Sequence, residues 1–189
     1  MKKYLFLLLL PLFVFAKDHF FIEYQAANFW PQYGPFRSAY HGGYYTNLKG
    51  VYTFHKNVAA WTGVGYYNKQ GKVAAVNAKT RATLITASLG LKFYYTVVSD
   101  WDIYLQMAPS YFVLKTKQEW PYVKNKDSKN GLGATFGVGT MYFITDTLLI
   151  DIFLDYLYGK RTYIDDNSGV EIKLYAGGLI GGAGIGLRF

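Results

Sequence analysis

The sequence predicts an all-β protein, an eight-stranded antiparallel up-and-down transmembrane β-barrel, from three observations. Segments of about 9 to 14 residues alternate apolar and polar side chains, which is the period of a strand with two different faces. No stretch of about 20 continuous apolar residues follows residue 16, which excludes helical membrane spans. Aromatic residues make up 20% of the chain and glycine occurs 20 times, whereas cysteine is absent. This composition favours neither disorder nor a largely helical protein.

Residues 1–16 are predicted to be a secretory signal peptide, and residues 17–189 the barrel domain. Lys2 and Lys3 precede an apolar run that ends at Ala16, and Val14 and Ala16 are small enough for a cleavage site after Ala16. The run is too short to span a bilayer as a helix. The alternative interpretation is a retained N-terminal anchor. No further domain is expected after Phe189.

Eight alternating segments are predicted as strands. They are residues 20–29, 44–54, 58–67, 82–95, 101–113, 132–143, 148–158 and 172–189. Gly63 and Gly65 blur the alternation of the third segment. Pro109 lies inside the fifth, where it removes a donor from the hydrogen-bond ladder and predicts a bulge or a local break.

Short and long connections alternate strictly along the chain. The short ones are residues 55–57, 96–100 and 145–147, and the longer polar ones are 30–43, 68–81, 115–130 and 160–171. With an even number of strands, this order puts every long loop at one end and both termini at the other. Outer-membrane barrels have this asymmetry, with short periplasmic turns and long outer loops. We therefore expect the chain in a bacterial outer membrane, after cleavage near Ala16.

The apolar face of the strands is predicted to meet lipid. Aromatic residues cluster towards both strand ends, as two interfacial girdles require. Towards the long loops these are Trp30, Tyr44, Tyr45, Tyr66, Tyr67, Tyr111, Tyr156 and Tyr158; towards the short turns, Tyr52, Phe54, Phe93, Tyr95, Trp101, Tyr142 and Phe189. The polar face is rich in small residues and suits a narrow lumen. A soluble barrel of the lipocalin kind, apolar inside, is the alternative.

The last strand ends in a pattern that carries a resemblance to known proteins. Phe189 is aromatic, Leu187 and Ile185 alternate before it, and glycines lie upstream. This pattern resembles the C-terminal assembly signal of bacterial outer-membrane barrels, although that family often has tyrosine where this chain has Leu187. The layout is similar to the OmpA-type transmembrane domain and to opacity-like or OmpW-like surface proteins. The resemblance implies that the barrel assembly machinery reads Phe189.

Charged residues on the polar face are expected inside the lumen. The set is Glu23, Lys49, Lys92, Asp102, Asp151, Asp155 and Arg188. An eight-stranded barrel is just wide enough for its own side chains, and unpaired charges there are costly, so these residues should pair. The expected pairs are Lys92 with Asp102, Glu23 with Lys49, and Asp151 and Asp155 with Lys173 or Arg188. A closed, salt-bridged lumen is preferred, whereas the OmpA resemblance implies a small conductance.

Cations in the long loops are the other candidate site. The predicted contacts to lipopolysaccharide are Lys69, Lys72, Lys79, Arg81, Lys124 and Lys126. Basic groups at the outer end attract phosphates. The alternative is a merely solvated loop. Outer-membrane lipid and lipopolysaccharide are thus the expected partners; nucleic acid is not, and a monomer is expected.

Three functions are compared. The preferred one is a non-enzymatic structural or surface-interaction protein that acts through its outer loops. The alternative is a small channel for ions or small apolar solutes. An enzyme that modifies lipid A is less favoured, because His41 beside Ser38 is the only arrangement worth considering and lacks the pattern of known outer-membrane acyl-chain enzymes. No cofactor or metal site is expected.

Overall fold

The computed structural model describes residues 20–73, 78–119, 124–164 and 171–189. The predicted signal peptide lies outside these ranges, so its cleavage stays a prediction. Within them, no helix is long and apolar enough to cross a membrane. The described part contains one short helix, α1 (Gly34–Tyr40), between the first two strands. The strands are β1 (Phe20–Pro31), β2 (Gly43–His55), β3 (Val58–Val73), β4 (Ala78–Val98), β5 (Trp101–Glu119), β6 (Lys124–Phe143), β7 (Leu148–Ile164), β8 (Glu171–Tyr175) and β9 (Gly178–Arg188).

The strands form one closed antiparallel ring. Each of β1 to β6 pairs with its successor in the chain, and β9 pairs with both β7 and β1. β8 pairs with the outer part of β7 in the same register as β9, interrupted at Ala176 and Gly177. β8 and β9 are therefore two parts of one strand position, and the predicted eight-stranded up-and-down barrel is confirmed. Closure leaves no free edge around the barrel.

Several strands continue far beyond their predicted ends. β4 has 21 residues and β6 has 20, roughly twice the 9 to 11 that a tilted membrane strand needs. The β3–β4 ladder runs to Val73 opposite Ala78, and the β5–β6 ladder to Glu119 opposite Lys124. The prediction of loops at 68–81 and 115–130 is therefore wrong for the described residues, whereas residues 74–77 and 120–123 lie outside the described ranges. Antiparallel pairing satisfies the backbone without an apolar face, so polar hairpins extend the wall into water.

Apolar side chains face outwards and the buried charged side chains face the lumen, as predicted for a membrane barrel. On β7, Asp151 and Phe153 are buried inside, whereas Ile152 is 59% exposed and Leu154 46% exposed on the outside. Large exposed aromatic side chains lie near both ends of the strands, including Trp30, Tyr44, Tyr66, Tyr111 and Tyr158 at one end and Tyr52, Phe54, Tyr95, Trp101 and Tyr142 at the other. Such an apolar exterior is stable against lipid, not water.

Two predicted girdle residues are on the other face. Tyr45 and Tyr67 are buried in the lumen, with 4% and 0% exposure. Each follows an exposed tyrosine in the alternation, Tyr44 and Tyr66, so only one of each adjacent pair can reach the interface. The prediction that all four belong to the outer girdle is therefore wrong.

Pro109 interrupts the wall locally. Leu91 pairs with Met107 and Ser88 with Ser110, but the described β4–β5 ladder skips the two positions between them. The register is the same on both sides, so this is a break without a bulge. Proline lacks the N–H that the ladder requires, which explains the gap and confirms the local break expected from the sequence.

Candidate functional site

A buried ion pair crosses the lumen between Lys92 on β4 and Glu23 on β1. The Lys92 Nζ atom lies 3.0 Å from Glu23 Oε1, and both side chains have 0% exposure. The ammonium also lies 4.0 Å from the centre of the Tyr104 ring and 3.4 Å from the Met141 sulfur. The charge is thus enclosed by its counter-ion, by an aromatic face and by a soft sulfur atom, which together replace its water.

A second pair joins Lys49 on β2 to Asp155 on β7. The Lys49 Nζ atom lies 3.6 Å from Asp155 Oδ2. Gln106 bridges the two groups: its Oε1 accepts from Lys49 at 3.2 Å, and its Nε2 donates to Asp155 Oδ1 at 2.5 Å. The ring of Trp61 lies 4.8 Å from the same ammonium. This pair is therefore held by a neutral amide as well as by charge.

Asp151 completes the buried group. Gln25 Nε2 donates to its Oδ2 at 2.6 Å, and the Tyr104 hydroxyl donates to its Oδ1 at 2.7 Å. Asn47 in turn donates to Gln25 Oε1 at 3.2 Å. We call this buried cluster the lumen network; its members are Glu23, Gln25, Asn47, Lys49, Trp61, Lys92, Tyr104, Gln106, Met141, Asp151 and Asp155. It holds three carboxylates and two ammonium groups. Its formal charge is negative, with the extra carboxylate stabilised by neutral donors.

Glycines on the inward face make the space for these side chains. A Cβ at Gly137 would lie 1.8 Å from Asp155 Oδ1, and one at Gly139 2.4 Å from the Tyr104 ring. At Gly63 it would lie 3.1 Å from the Lys49 side chain. The lumen is narrow, so a long polar residue on one strand requires glycine at the opposite position of the neighbouring strand. These three glycines are therefore required by the side chains of the lumen.

The sequence predicted the wrong partners for these charges. Lys92 lies opposite Gln106 in the β4–β5 register, and Asp102 is four residues further on, about 13 Å along the strand at 3.3 Å per residue. Glu23 and Lys49 are opposite each other, as expected, yet each pairs across the lumen instead. A long lysine side chain reaches the far wall of so narrow a barrel, where its ammonium is fully enclosed.

Arg188 and Asp102 lie below the lumen network, at the short-turn end. Both are only partly buried and line a recess of about 590 Å³. The Arg188 guanidinium lies 5.8 Å from the Phe21 ring and 5.6 Å from the Phe143 ring. Asp151 is opposite Gly184, four residues from Arg188, so the expected pairing of Arg188 with Asp151 is wrong. The side chain of Lys173, the other expected partner, lies outside the described residues.

At the outer end, α1 folds over an aromatic layer. Phe29 packs edge-on to Tyr67 at 5.0 Å, and Phe36 of α1 lies 4.8 Å from Tyr40. The Tyr40 hydroxyl is hydrogen-bonded to Thr80 Oγ1 at 2.7 Å. Burial raises the pKa of Tyr40 above its usual value, which keeps this hydroxyl protonated. Packed aromatic rings and α1, which the Tyr40–Thr80 hydrogen bond holds in place, therefore cover the outer mouth. A cavity of about 760 Å³ lies beside them, between the end of α1 and the upper ends of β3, β4 and β5.

The cations predicted from the long loops divide between the two faces of the extended wall. Lys69 follows the inward residue Tyr67 by two positions and packs over Gly43. Lys72, Lys79 and Arg81 fall on the outward face by the same alternation. The side chains of Lys124 and Lys126 lie outside the described residues, although their backbone belongs to β6.

The C-terminal residues face outwards along the seam that closes the barrel. Ile185, Leu187 and Phe189 are 59%, 51% and 55% exposed. The Phe189 amide donates to the Phe20 carbonyl at 2.9 Å, and the two rings lie 6.4 Å apart. The terminal aromatic residue is thus fixed in place while its ring remains accessible from the membrane side.

No protein-family model and no curated protein matches the chain, but solved structures do. The outer membrane protein OprG of Pseudomonas aeruginosa superposes with a TM-score of 0.66 at 13% identity, over 92% of this chain and 97% of that one. Neisserial surface protein A gives 0.59 at 16% identity, over 90% and 97%. The fold is that of the small bacterial outer-membrane β-barrels. The Yersinia pestis attachment invasion locus protein, solved with the heparin analogue sucrose octasulfate, gives 0.53 at 16% identity over 90% and 97%.

Several residues of the lumen network were not singled out from the sequence. They are Gln25, Asn47, Tyr104 and Gln106, which hold the carboxylates and Lys49 in place. A usable signal was present, because all four fall on the same inward face as the predicted charges. Polar residues at every second position of a lipid-facing strand can only point into the lumen.

Proposed function

We propose that this chain is an outer-membrane surface protein with a closed lumen, and that it acts through its outer end as a structural or interaction protein. The observation that carries this is the lumen itself. Two buried ion pairs cross it at mid-height, and the ring of Phe29 packs on that of Tyr67 above them. Little room for a continuous water path is left in a barrel of eight strands.

A planar-bilayer recording tests the closed lumen. The folded protein is expected to give no steady openings in symmetric salt. The charged side chains of the lumen pair with one another and leave no path for ions. Folding of the same preparation is checked by its shift in gel mobility on heating. Steady openings of uniform size that change on Lys49→Ala or Glu23→Ala would contradict the closed lumen.

The second candidate is a small channel that prefers cations. It is favoured by one observation, the excess of carboxylate over ammonium groups in the lumen network, since a negative lumen attracts cations. The recess at the short-turn end brings water close to this network, because Met141 lines it. A small apolar solute has less support, because it would have to pass fully buried charges.

A non-enzymatic role is part of the proposal. The similar structures are described as outer membrane, surface and attachment proteins. The pair considered from the sequence, Ser38 and His41, lies exposed at the end of α1. The fold alone does not fix a reaction, so the outer surface is the more informative part of the molecule. One similar structure holds a polysulfated sugar, which makes an anionic partner a reasonable candidate here.

Recognition of Phe189 by the barrel assembly machinery is a further part of the proposal. Phe189→Ala is expected to lower the amount of folded protein in the outer membrane several-fold, while refolding of the purified protein into detergent changes little. The exposed ring makes one described aromatic contact, to Phe20, so its loss costs the barrel little by itself. Leu48→Ala, at a comparably exposed lipid-facing position, is the control. Equal membrane levels of both variants would argue against recognition.

A further inference from the structure

The recess at the short-turn end is a separate space below the lumen network. Its volume of about 590 Å³ is within the range of pockets that hold small molecules. Inward-facing side chains of five strands line it, among them Phe21, Tyr94, Asp102, Met141, Phe143 and Arg188. The turns between the strands form its rim. The recess therefore opens at the end of the barrel opposite α1.

Two polar side chains of this recess lack a partner in the described part of the chain. Tyr94 is 9% exposed, and its hydroxyl has no hydrogen-bond partner there. Asp102 is partly buried, and its carboxylate forms no ion pair there. Tyr94 lies opposite Tyr104 and Asp102 opposite Thr96, so the two are diagonal neighbours on one face, about 7 to 8 Å apart. A buried polar atom without a partner is costly, so a ligand that bonds to it is favoured.

The β5 side of the recess is acidic. The described charged residues that line the recess are three carboxylates and two cations: Asp100, Asp102, Asp146, Lys56 and Arg188. Arg188 is on β9, separated from β5 by β6 and β7, and its guanidinium lies over two phenylalanine rings. Lys56 is in the turn between β2 and β3. The lumen network above the recess also has a negative formal charge, so this side attracts cations.

The inner end of the recess suits an ammonium group better than a metal ion. The Met141 sulfur, which lies there, is 3.4 Å from the Lys92 ammonium, and the centre of the Tyr94 ring is 5.7 Å from it. Sulfur and aromatic faces thus already surround one ammonium group of this barrel. Mg²⁺ and Ca²⁺ require several oxygen ligands. Among the described residues, no three acidic or histidine side chains are grouped so as to hold a metal ion.

We propose that the recess binds a small organic cation with primary ammonium groups, such as a linear diamine, from the periplasmic side. One ammonium group bonds to the Asp102 carboxylate and the Tyr94 hydroxyl. The other bonds to Asp100 at the rim, and the alkyl chain between them packs on Met141 and Phe143. The inference goes beyond the proposed function, because it gives the barrel a second site at the end opposite its outer surface.

Calorimetric titration of the folded protein in neutral phosphatidylcholine nanodiscs tests the site. The probes are 1,4-diaminobutane, the uncharged butane-1,4-diol and Mg²⁺. Asp102→Asn is expected to weaken binding of the diamine about 10-fold, which is the usual effect of losing a hydrogen bond to a charged group. The matched control is Asp127→Asn, which removes an exposed carboxylate at the other end of the barrel and should bind within twofold of the unchanged protein.

Tyr94→Phe separates binding from a structural role. The variant is expected to bind the diamine about 5-fold more weakly, because one hydrogen bond is lost. It should unfold at an equal or higher urea concentration without the diamine, because the hydroxyl that it removes has no partner among the described residues. A tyrosine that only supported the fold would lose stability on this change.

Four outcomes would overturn the proposal. They are equal affinity of Asp102→Asn and Asp127→Asn for the diamine, unchanged affinity of Tyr94→Phe, binding of butane-1,4-diol as tight as that of the diamine, and binding of Mg²⁺ as tight as that of the diamine. The last would mean that the acidic rim only collects counter-ions. The bilayer recording measures passage through the lumen, so its result is independent of this one.

Discussion

Lys92→Ala is expected to lower the free energy of unfolding by about 3–5 kcal/mol, which is the typical cost of removing one partner of a buried ion pair. The reason is the Glu23 carboxylate that remains. Its Oε1 atom is 3.0 Å from the Lys92 ammonium, its Oε2 atom has no hydrogen-bond partner among the described residues, and the side chain is fully buried. Without Lys92 the carboxylate must take up a proton or draw water into the lumen, and both weaken the barrel.

Urea unfolding in lipid vesicles, followed by tryptophan fluorescence, measures this loss. The double variant Lys92→Met/Glu23→Leu should recover most of it, because an apolar pair of similar volume leaves no charge unpaired. Lys160→Ala removes an exposed lysine and is the control, with an expected change within about 0.5 kcal/mol.

Lys49→Ala should lower the free energy of unfolding by less than Lys92→Ala does, since Asp155 keeps its hydrogen bond from Gln106. A loss below 1 kcal/mol for Lys92→Ala would show that water already reaches Glu23.

The fold was predictable because a membrane strand shows its two faces in the sequence. On β7 the alternation of Ile150, Asp151 and Ile152 is enough to assign one side to lipid and the other to the lumen. The upper ends of the strands were not predictable in the same way. Above the membrane both faces meet water, so the alternation loses its apolar signal while the antiparallel ladder of β3 and β4 continues to Val73.

The partners inside the lumen depend on geometry that no local pattern contains. Lys92 and Glu23 are on strands that are not neighbours, and the tilt of the strands decides which heights meet across the barrel. In this barrel both lysines extend across the lumen, and Lys49 does not pair with Glu23, its neighbour in the register. The sequence therefore predicts which charges are inside, but not which of them touch.

Gly182→Ala is expected to prevent closure of the barrel. Gly182 on β9 lies opposite Ala27 on β1, at the seam where the last strand meets the first. A Cβ there would lie 2.2 Å from the Ala26 carbonyl oxygen and 2.6 Å from the Ala27 Cα. Both obstacles are backbone atoms and cannot rotate away. Overpacking a core costs about 1–3 kcal/mol where side chains yield, so we expect a larger loss here.

A graded series of glycine variants makes this expectation specific. At Gly50 a Cβ meets the Phe20 ring at 3.6 Å and the Thr62 methyl group at 3.9 Å, both at ordinary van der Waals distance, so Gly50→Ala should be close to neutral. At Gly65 it meets the Tyr45 hydroxyl and Thr86 Oγ1, which are side-chain and not backbone atoms, so Gly65→Ala should be intermediate. The measurement is the folded fraction after refolding into detergent, from the heat-dependent shift in gel mobility. Equal folded fractions for Gly182→Ala and Gly50→Ala would mean that the seam between β1 and β9 can widen without loss, and that closure depends on the other strand contacts.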